Sequence, residues 1–113
     1  MDDATERFFE ELQARGHEPR LRKVRGTMRF DLTDGSRWTR WLVAVDRGDL
    51  RVSRRNATAD CVIRADKAVF DGISAGETNA FAAVLRGAIA IQGDAELLVY
   101  FQRLLPARPR EAA

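Results

Sequence analysis

Between Asp3 and Gly16 the apolar positions Ala4, Phe8, Phe9 and Leu12 recur at spacings near 3.6, which predicts one amphipathic helix. Asp3 stands as its N-cap, with the Glu6 carboxylate at N3 in an Asp-based capping box. Arg15 in the last turn and Gly16 as a left-handed stop close it. The period then drops to two. Val24, Met28, Phe30 and Leu32 share one face of a strand, and Arg25, Thr27, Arg29 and Asp31 share the other. Asp34-Gly35 predicts a tight hairpin turn. The returning strand, Trp38 to Val45, carries Trp41, Val43 and Val45 on one face and Trp38, Leu42 and Ala44 on the other. That composition predicts a strand covered on both sides. After a turn at Arg47-Gly48, Leu50 and Val52 alternate with Arg51 and Ser53, and Cys61–Arg64 forms a further short strand. Together these segments read as an antiparallel meander.

Beyond Asp66 the helical period returns. Asp66 is placed to cap a short helix bearing Val69, Phe70 and Ile73, which Ser74-Ala75-Gly76 breaks. Thr78 is placed to cap a second helix whose stripe is Phe81, Val84 and Leu85. Gly87 ends it, Ala88-Ile89-Ala90-Ile91 reads as one more strand, and Gly93-Asp94 opens a last helix. There Leu97, Leu98, Tyr100, Phe101, Leu104 and Leu105 span about 160° of helix surface, wider than the minimal stripe of about 100°. No repeat, linker or low-complexity stretch interrupts the 113 residues, which predict one domain over 1–113 with a flexible tail at 106–113.

Composition narrows the function classes. The bases are 17 Arg with only Lys23 and Lys67, set against 17 acids, for a net charge of +2. That is far from a nucleic-acid footprint, and the aromatics sit in buried phase instead of alternating with the bases. The arginine and alanine bias is that of a GC-rich, bacterial genome. Neither a secretory leader nor an apolar run of membrane-spanning length is present, and a lone Cys61 precludes an internal disulfide, so the expected compartment is the cytoplasm. The basic groups Arg20, Arg22, Lys23 and Arg25, and Arg51, Arg54 and Arg55, read as solvated positions or as contacts for a transient anionic membrane surface.

Catalysis has little to build on. His17 is the sole histidine and Cys61 alternates in phase with the buried Ile63, so the two form a pair only if folding brings them together. There is no metal-ligand cluster, nucleophile elbow or phosphate loop, and no cofactor is expected. Asp60, Asp66 and Asp94 read as turn or capping groups.

The ordered motifs resemble a known family. Ser74-Ala75-Gly76-Glu77 is similar to the helix break of the sterol carrier protein (SCP-2-like) lipid-binding domain. The run from Ala82 through Leu85-Arg86-Gly87-Ala88-Ile89-Ala90-Ile91-Gln92-Gly93-Asp94 is similar to that family's passage into its last helix. Arg29-Phe30-Asp31-Leu32-Thr33-Asp34-Gly35 with Trp38 resembles its opening hairpin, and Ala59-Asp60-Cys61-Val62-Ile63 one of its strands. The likeness runs from about residue 2 to residue 105.

The resemblance implies an α+β fold: about five strands, mainly antiparallel, covered by N-terminal, central and C-terminal helices that enclose an apolar cavity. It implies a non-enzymatic carrier of an apolar lipid, be it a fatty acyl chain, a sterol-like molecule or a related metabolite. Trp41, Val43, Phe70, Ile73, Phe81, Leu85, Leu97, Phe101 and Leu104 are the lining it points to, with the terminal helix as lid. By periodicity alone the same residues read as a dry core. The alternative function is an accessory protein-interaction domain on this scaffold with a closed core, which an exposed Trp38 would favour.

Overall fold

A computed structural model describes residues 3–105; the expected tail at 106–113 lies outside them. Helix α1 (Ala4–Arg15) begins where the Asp3 carboxylate accepts the Glu6 backbone N–H at 3.0 Å. It ends at Gly16, whose φ of 69° suits a residue without a side chain. Phe8, Phe9 and Leu12 are buried as the spacing requires. Thr5 joins them, donating its hydroxyl proton to Asp71 at 2.6 Å.

Strands β1 (Arg25–Asp34), β2 (Arg37–Asp46) and β3 (Asp49–Ser53) form an antiparallel meander. Its first turn places Gly35 at φ 65°, and its second places Arg47 and Gly48 at φ 51° and 92°, the type I′ pattern that fits strand twist. Strand β4 (Cys61–Asp66) does not extend this meander. It crosses to lie parallel to β1, and β5 (Ile89–Gly93) pairs antiparallel with β4, giving the order β3-β2-β1-β4-β5.

Two sets of hydrogen bonds explain the crossover. The outer edge of β3 is already taken: Leu50 N–H donates to the Gly16 carbonyl, Val52 N–H donates to Gln13 Oε1, and His17 bridges to Asp49. Meanwhile Asp60 is fastened to β1. Its carboxylate accepts from Thr27 N–H at 2.9 Å and Thr27 Oγ1 at 3.2 Å, and its own N–H donates to Thr27 Oγ1 at 3.0 Å. The resulting sheet is mixed although mainly antiparallel, and the fold is α+β.

Helices α2 (Lys67–Ser74), α3 (Ala80–Leu85) and α4 (Glu96–Phe101, continued by a 3-10 turn over Gln102–Leu104) complete the chain. Asp66 precedes α2 without capping it, because its carboxylate accepts from Thr33 Oγ1 instead. The cap of α3 is Asn79, one residue beyond the expected Thr78. That helix turns Ala80 and Ala83 inward with Val84 beside them, so the expected stripe is rotated by one position. Leu85 is 88% exposed, and Phe81 is half-buried.

The Gly93-Asp94 pair has a physical reason. Gly93 holds φ 95°, and a Cβ there would collide with the Asp60 carbonyl. Asp94 N–H donates to that same carbonyl at 2.7 Å, and the Asp94 carboxylate accepts the Glu96 N–H at 3.0 Å. Close backbone approach therefore sets the point at which α4 leaves the sheet. Among the described residues no helix is long and apolar enough to cross a membrane.

Candidate functional site

The inner face of the sheet, toward α1, α2 and α4, carries Met28, Phe30 and Leu32 of β1, Trp41, Val43 and Val45 of β2, and Cys61 and Ile63 of β4. Six aromatic rings meet over it. Phe30 lies 5.1 Å from Phe9, 5.4 Å from Phe70 and 5.0 Å from Phe101, centroid to centroid, and Phe8 reaches Phe101 at 5.9 Å. Phe9 is sandwiched, stacking on Trp41 at 4.7 Å and on Phe70 at 5.7 Å. The Arg54 guanidinium lies over the other face of Trp41, 3.7 Å from the ring centroid.

Seven of the expected lining residues meet in this cluster: Trp41, Val43, Phe70, Ile73, Leu97, Phe101 and Leu104 are all buried in it. Leu85 does not, because α3 turns it to solvent, and Phe81 lies outside the buried cluster. Sequence reasoning placed Phe8, Phe9 and Phe30 on buried faces without assigning them to the site. Their contact is a tertiary event that no local period encodes. Arg54 was grouped with its basic neighbours, and nothing in the sequence marks its place on Trp41. Clefts of about 380, 300, 230 and 220 Å³ open on the surface, and none is lined by the nine candidate residues.

The apolar cluster holds one orphan. Trp41 is 7% exposed, and its indole Nε1–H has no hydrogen-bond partner among the described residues. Buried donors are normally paired, so this one marks a position of interest. Cys61 is buried too, and burial, followed by the charges of Asp94 and Asp60, pushes its thiol pKa up, which disfavours the nucleophilic thiolate. His17 hydrogen-bonds Asp49 at 2.7 Å by the β3 edge, three strands away from Cys61 on β4, so folding does not bring the pair together.

The outer face is built differently. Asp31 is buried and receives Arg29 on both oxygens, at 3.0 and 3.1 Å, and Arg40 at 3.0 Å; Arg64 stands 3.8 Å away. Burial alone would raise the Asp31 pKa, but the hydrogen bonds and charges of Arg29 and Arg40 outweigh it and hold the carboxyl below its ordinary value. Beside this cluster Trp38 stands 60% exposed, whereas Leu42 on the same face is buried and Ala44 half-buried, so β2 is covered on both faces at its middle and end but not at its start. The indole forms a wall of the 380 and 300 Å³ clefts, with Arg64 shared between them. Elsewhere the basic run is partly neutralised. Arg20 pairs with Glu18 at 2.8 Å and, with its own backbone N–H, holds that carboxyl down to about 2.

The description SCP-2 sterol transfer family belongs to the family model that matches residues 7–106. Among solved structures, palmitated SCP2L2 from Aedes aegypti superposes with a TM-score of 0.73 at 21% identity, covering 97% of this chain and 100% of that one. Sterol Carrier Protein-2 from Aedes aegypti in complex with palmitate gives 0.71 at 19%, covering 94% and 100%. The sec-alkylsulfatase Pisa1 from Pseudomonas sp. gives 0.68 at 20%, covering 88% of this chain but 16% of that one. No curated protein sequence matches the chain.

Proposed function

The chain belongs to the SCP-2 sterol transfer family, and from that premise we propose that it is a non-enzymatic carrier that binds a lipid's hydrocarbon portion among the rings between sheet and helices. The observation that carries the reading is the aromatic cluster itself. It is continuous, has no acid or base among its members, and lies where the layers meet. The two Aedes aegypti proteins of the same fold hold palmitate, which supports a single-chain lipid as guest.

The rings are in mutual contact, so a guest enters by parting layers. Helix α4 is the movable wall. Among the described residues its polar ties to the body are the Asp94 N–H to Asp60 carbonyl bond at its start and Arg20 to the Arg103 carbonyl, 2.8 Å, past its end. Between them Leu97, Leu98 and Phe101 are held by apolar contact, which a hydrocarbon can replace. Each methylene buried contributes about 0.8 kcal/mol, so ten carbons supply several kcal/mol against the ring contacts they displace. Native mass spectrometry of gently purified protein, with thermal melts in laurate or palmitate, tests the reading. The expected results are a lipid adduct and a melting point raised by several degrees, since a ligand at 100 times its Kd stabilises by about 2.7 kcal/mol. Protein that carries no lipid and melts unchanged in both acids refutes it.

A second reading is favoured by Trp38. A large exposed aromatic walling a cleft, on a sheet face ringed by guanidinium groups, suits a protein contact. The Pisa1 chain, of which this fold makes up a small part, supports an accessory role of that kind. A partner that co-purifies with the wild type and is lost from Trp38→Ala would support it; equal retention by both proteins would exclude Trp38 from the contact.

A further inference from the structure

The ring stack has a direction. Arg54 is exposed, Trp41 lies beneath it, Phe9 beneath Trp41, and Phe70 beneath Phe9 at the centre of the core. One end is therefore cationic and wet, and the other apolar and dry. An amphiphile with an anionic head has the same polarity.

The charged end is left unspent. Arg20, Arg25, Arg29 and Arg40 each lie on a carboxylate, whereas Arg54 has no acidic partner among the described residues. The indole beneath it is covered by the guanidinium on one face and by Phe9 on the other, so only its edge is open to a new contact. On that edge is the buried N–H that lacks an acceptor. A lone donor beside an unneutralised guanidinium is a pair of requirements that one anionic oxygen group meets at once.

We propose that Trp41 Nε1–H and Arg54 form the head-group end of the lipid site. They take the carboxylate of a single-chain lipid, with its hydrocarbon running inward along Phe9 and Phe70. This rests on the carrier reading and adds to it a chemical preference, for ionised fatty acids over neutral lipids of equal chain length. Trp41 supplies direction, because an indole N–H bonds only in the ring plane. Arg54 supplies charge, and its rest position holds it over the indole without a competing carboxylate among the described residues.

The test is calorimetric titration of the full chain with laurate and with 1-dodecanol at pH 8, on wild type, Trp41→Phe and Arg54→Gln. Charge-assisted hydrogen bonds of this kind predict about tenfold or more tighter binding of laurate than of dodecanol, and about a tenfold loss for laurate in each variant. Dodecanol affinity should stay within about twofold in Arg54→Gln, which leaves every ring contact of the chain in place. In parallel, the indole N–H resonance of Trp41, assigned by its absence from Trp41→Phe, should move further downfield with laurate than with dodecanol, whose neutral hydroxyl is the weaker acceptor. A purely packing role for the ring would not produce that shift. Equal affinities for the two lipids, or an equal loss of both in Arg54→Gln, overturn the head-group assignment and leave the carrier reading standing. Failure of both lipids to bind wild type removes the carrier reading and this inference with it. Should Trp41→Phe not fold, Arg54→Gln, altered only at the surface, decides alone.

Discussion

The two faces of one sheet solve opposite problems. On the inner face Phe30, Val43 and Ile63 sit in the apolar cluster, Trp41 adds the Arg54 guanidinium at its rim, and the cluster's unsatisfied group among the described residues is an indole N–H. On the outer face of the same strands, alternate residues gather Arg29, Asp31, Arg40 and Arg64 into a row around one buried carboxylate. The pairings Asp31 with Arg40 and Asp31 with Arg64 follow directly from the register of β1 with β2 and with β4. A one-residue slip would exchange the faces and bury the guanidinium groups. The charged row therefore fixes register from outside while the rings supply the burial from inside. The difference teaches that cohesion on the inner face is non-directional, which on the carrier reading lets a hydrocarbon replace it, whereas cohesion on the outer face is directional.

The largest effect should come from the inner face. Phe30 is fully buried and touches Phe9, Phe70 and Phe101, so Phe30→Ala should cost about 3–5 kcal/mol in urea or thermal unfolding. Phe30→Leu should cost less, about 1–1.5 kcal/mol, since most of the volume is kept. The carrier reading adds a sharper expectation. The void left by alanine should let laurate restore more stability to the variant than it confers on wild type. A variant destabilised as stated but indifferent to laurate would mean that the inner face closes on itself, and that its cohesion is not displaceable.

Next in size is Asp31. Asp31→Asn leaves Arg29, Arg40 and Arg64 facing one another across a neutral amide. Breaking a fully buried pair costs about 3–5 kcal/mol, and because Arg40 and Arg64 keep water contact the loss here should be about 1–3 kcal/mol. The pH dependence gives a second reading of the same site. The Asp31 carboxyl titrates below its ordinary value in the folded protein, so its contribution is complete above the ordinary carboxylate pKa and is lost as pH falls through the lowered one. Wild type should therefore lose stability on acidification more steeply than Asp31→Asn. Parallel acid limbs in the two proteins would show that the row around Asp31 holds the register without contributing to stability.

Much of this contrast was legible in the sequence. The alternation in β1 placed Phe30 inward and Arg29 and Asp31 outward, and the capped stripe of α1 gave Phe8, Phe9 and Leu12. The order of strands was not legible. Local period cannot show that Asp60 binds Thr27 across 33 residues, nor that Gly16 and Gln13 occupy the edge of β3. In α3 the heavier side chains, Phe81 and Leu85, were assigned to the core, whereas the structure gives the inward positions to Ala80 and Ala83. Close helix packing selects small residues there, and a pattern that weighs hydrophobicity alone misses it. Seven of the nine expected lining residues share the buried cluster. The contact of Arg54 with Trp41 was not legible, because it is made by the chain after β3 and no local period encodes it.

The smallest expected effect sharpens the comparison most. Trp38 belongs to the outer face by phase, yet it is neither charged nor covered: the indole stands 60% exposed over a cleft shared with Thr33, Arg64, Val69 and Ala88. If that face serves only to fix register, Trp38→Ala should change stability by no more than about 0.5 kcal/mol, as surface substitutions usually do. Laurate affinity should be unchanged, because the ring has no contact with the Phe9–Trp41 stack. Tryptophan emission should shift to the blue, since removing the exposed indole leaves only buried Trp41. A loss of stability well above that figure would show that Trp38 covers apolar surface the sheet needs. A loss of lipid affinity would couple the two faces and break the division of labour between them. Unchanged stability and affinity would leave an exposed tryptophan with no work inside the domain, and would turn attention to whatever it meets outside.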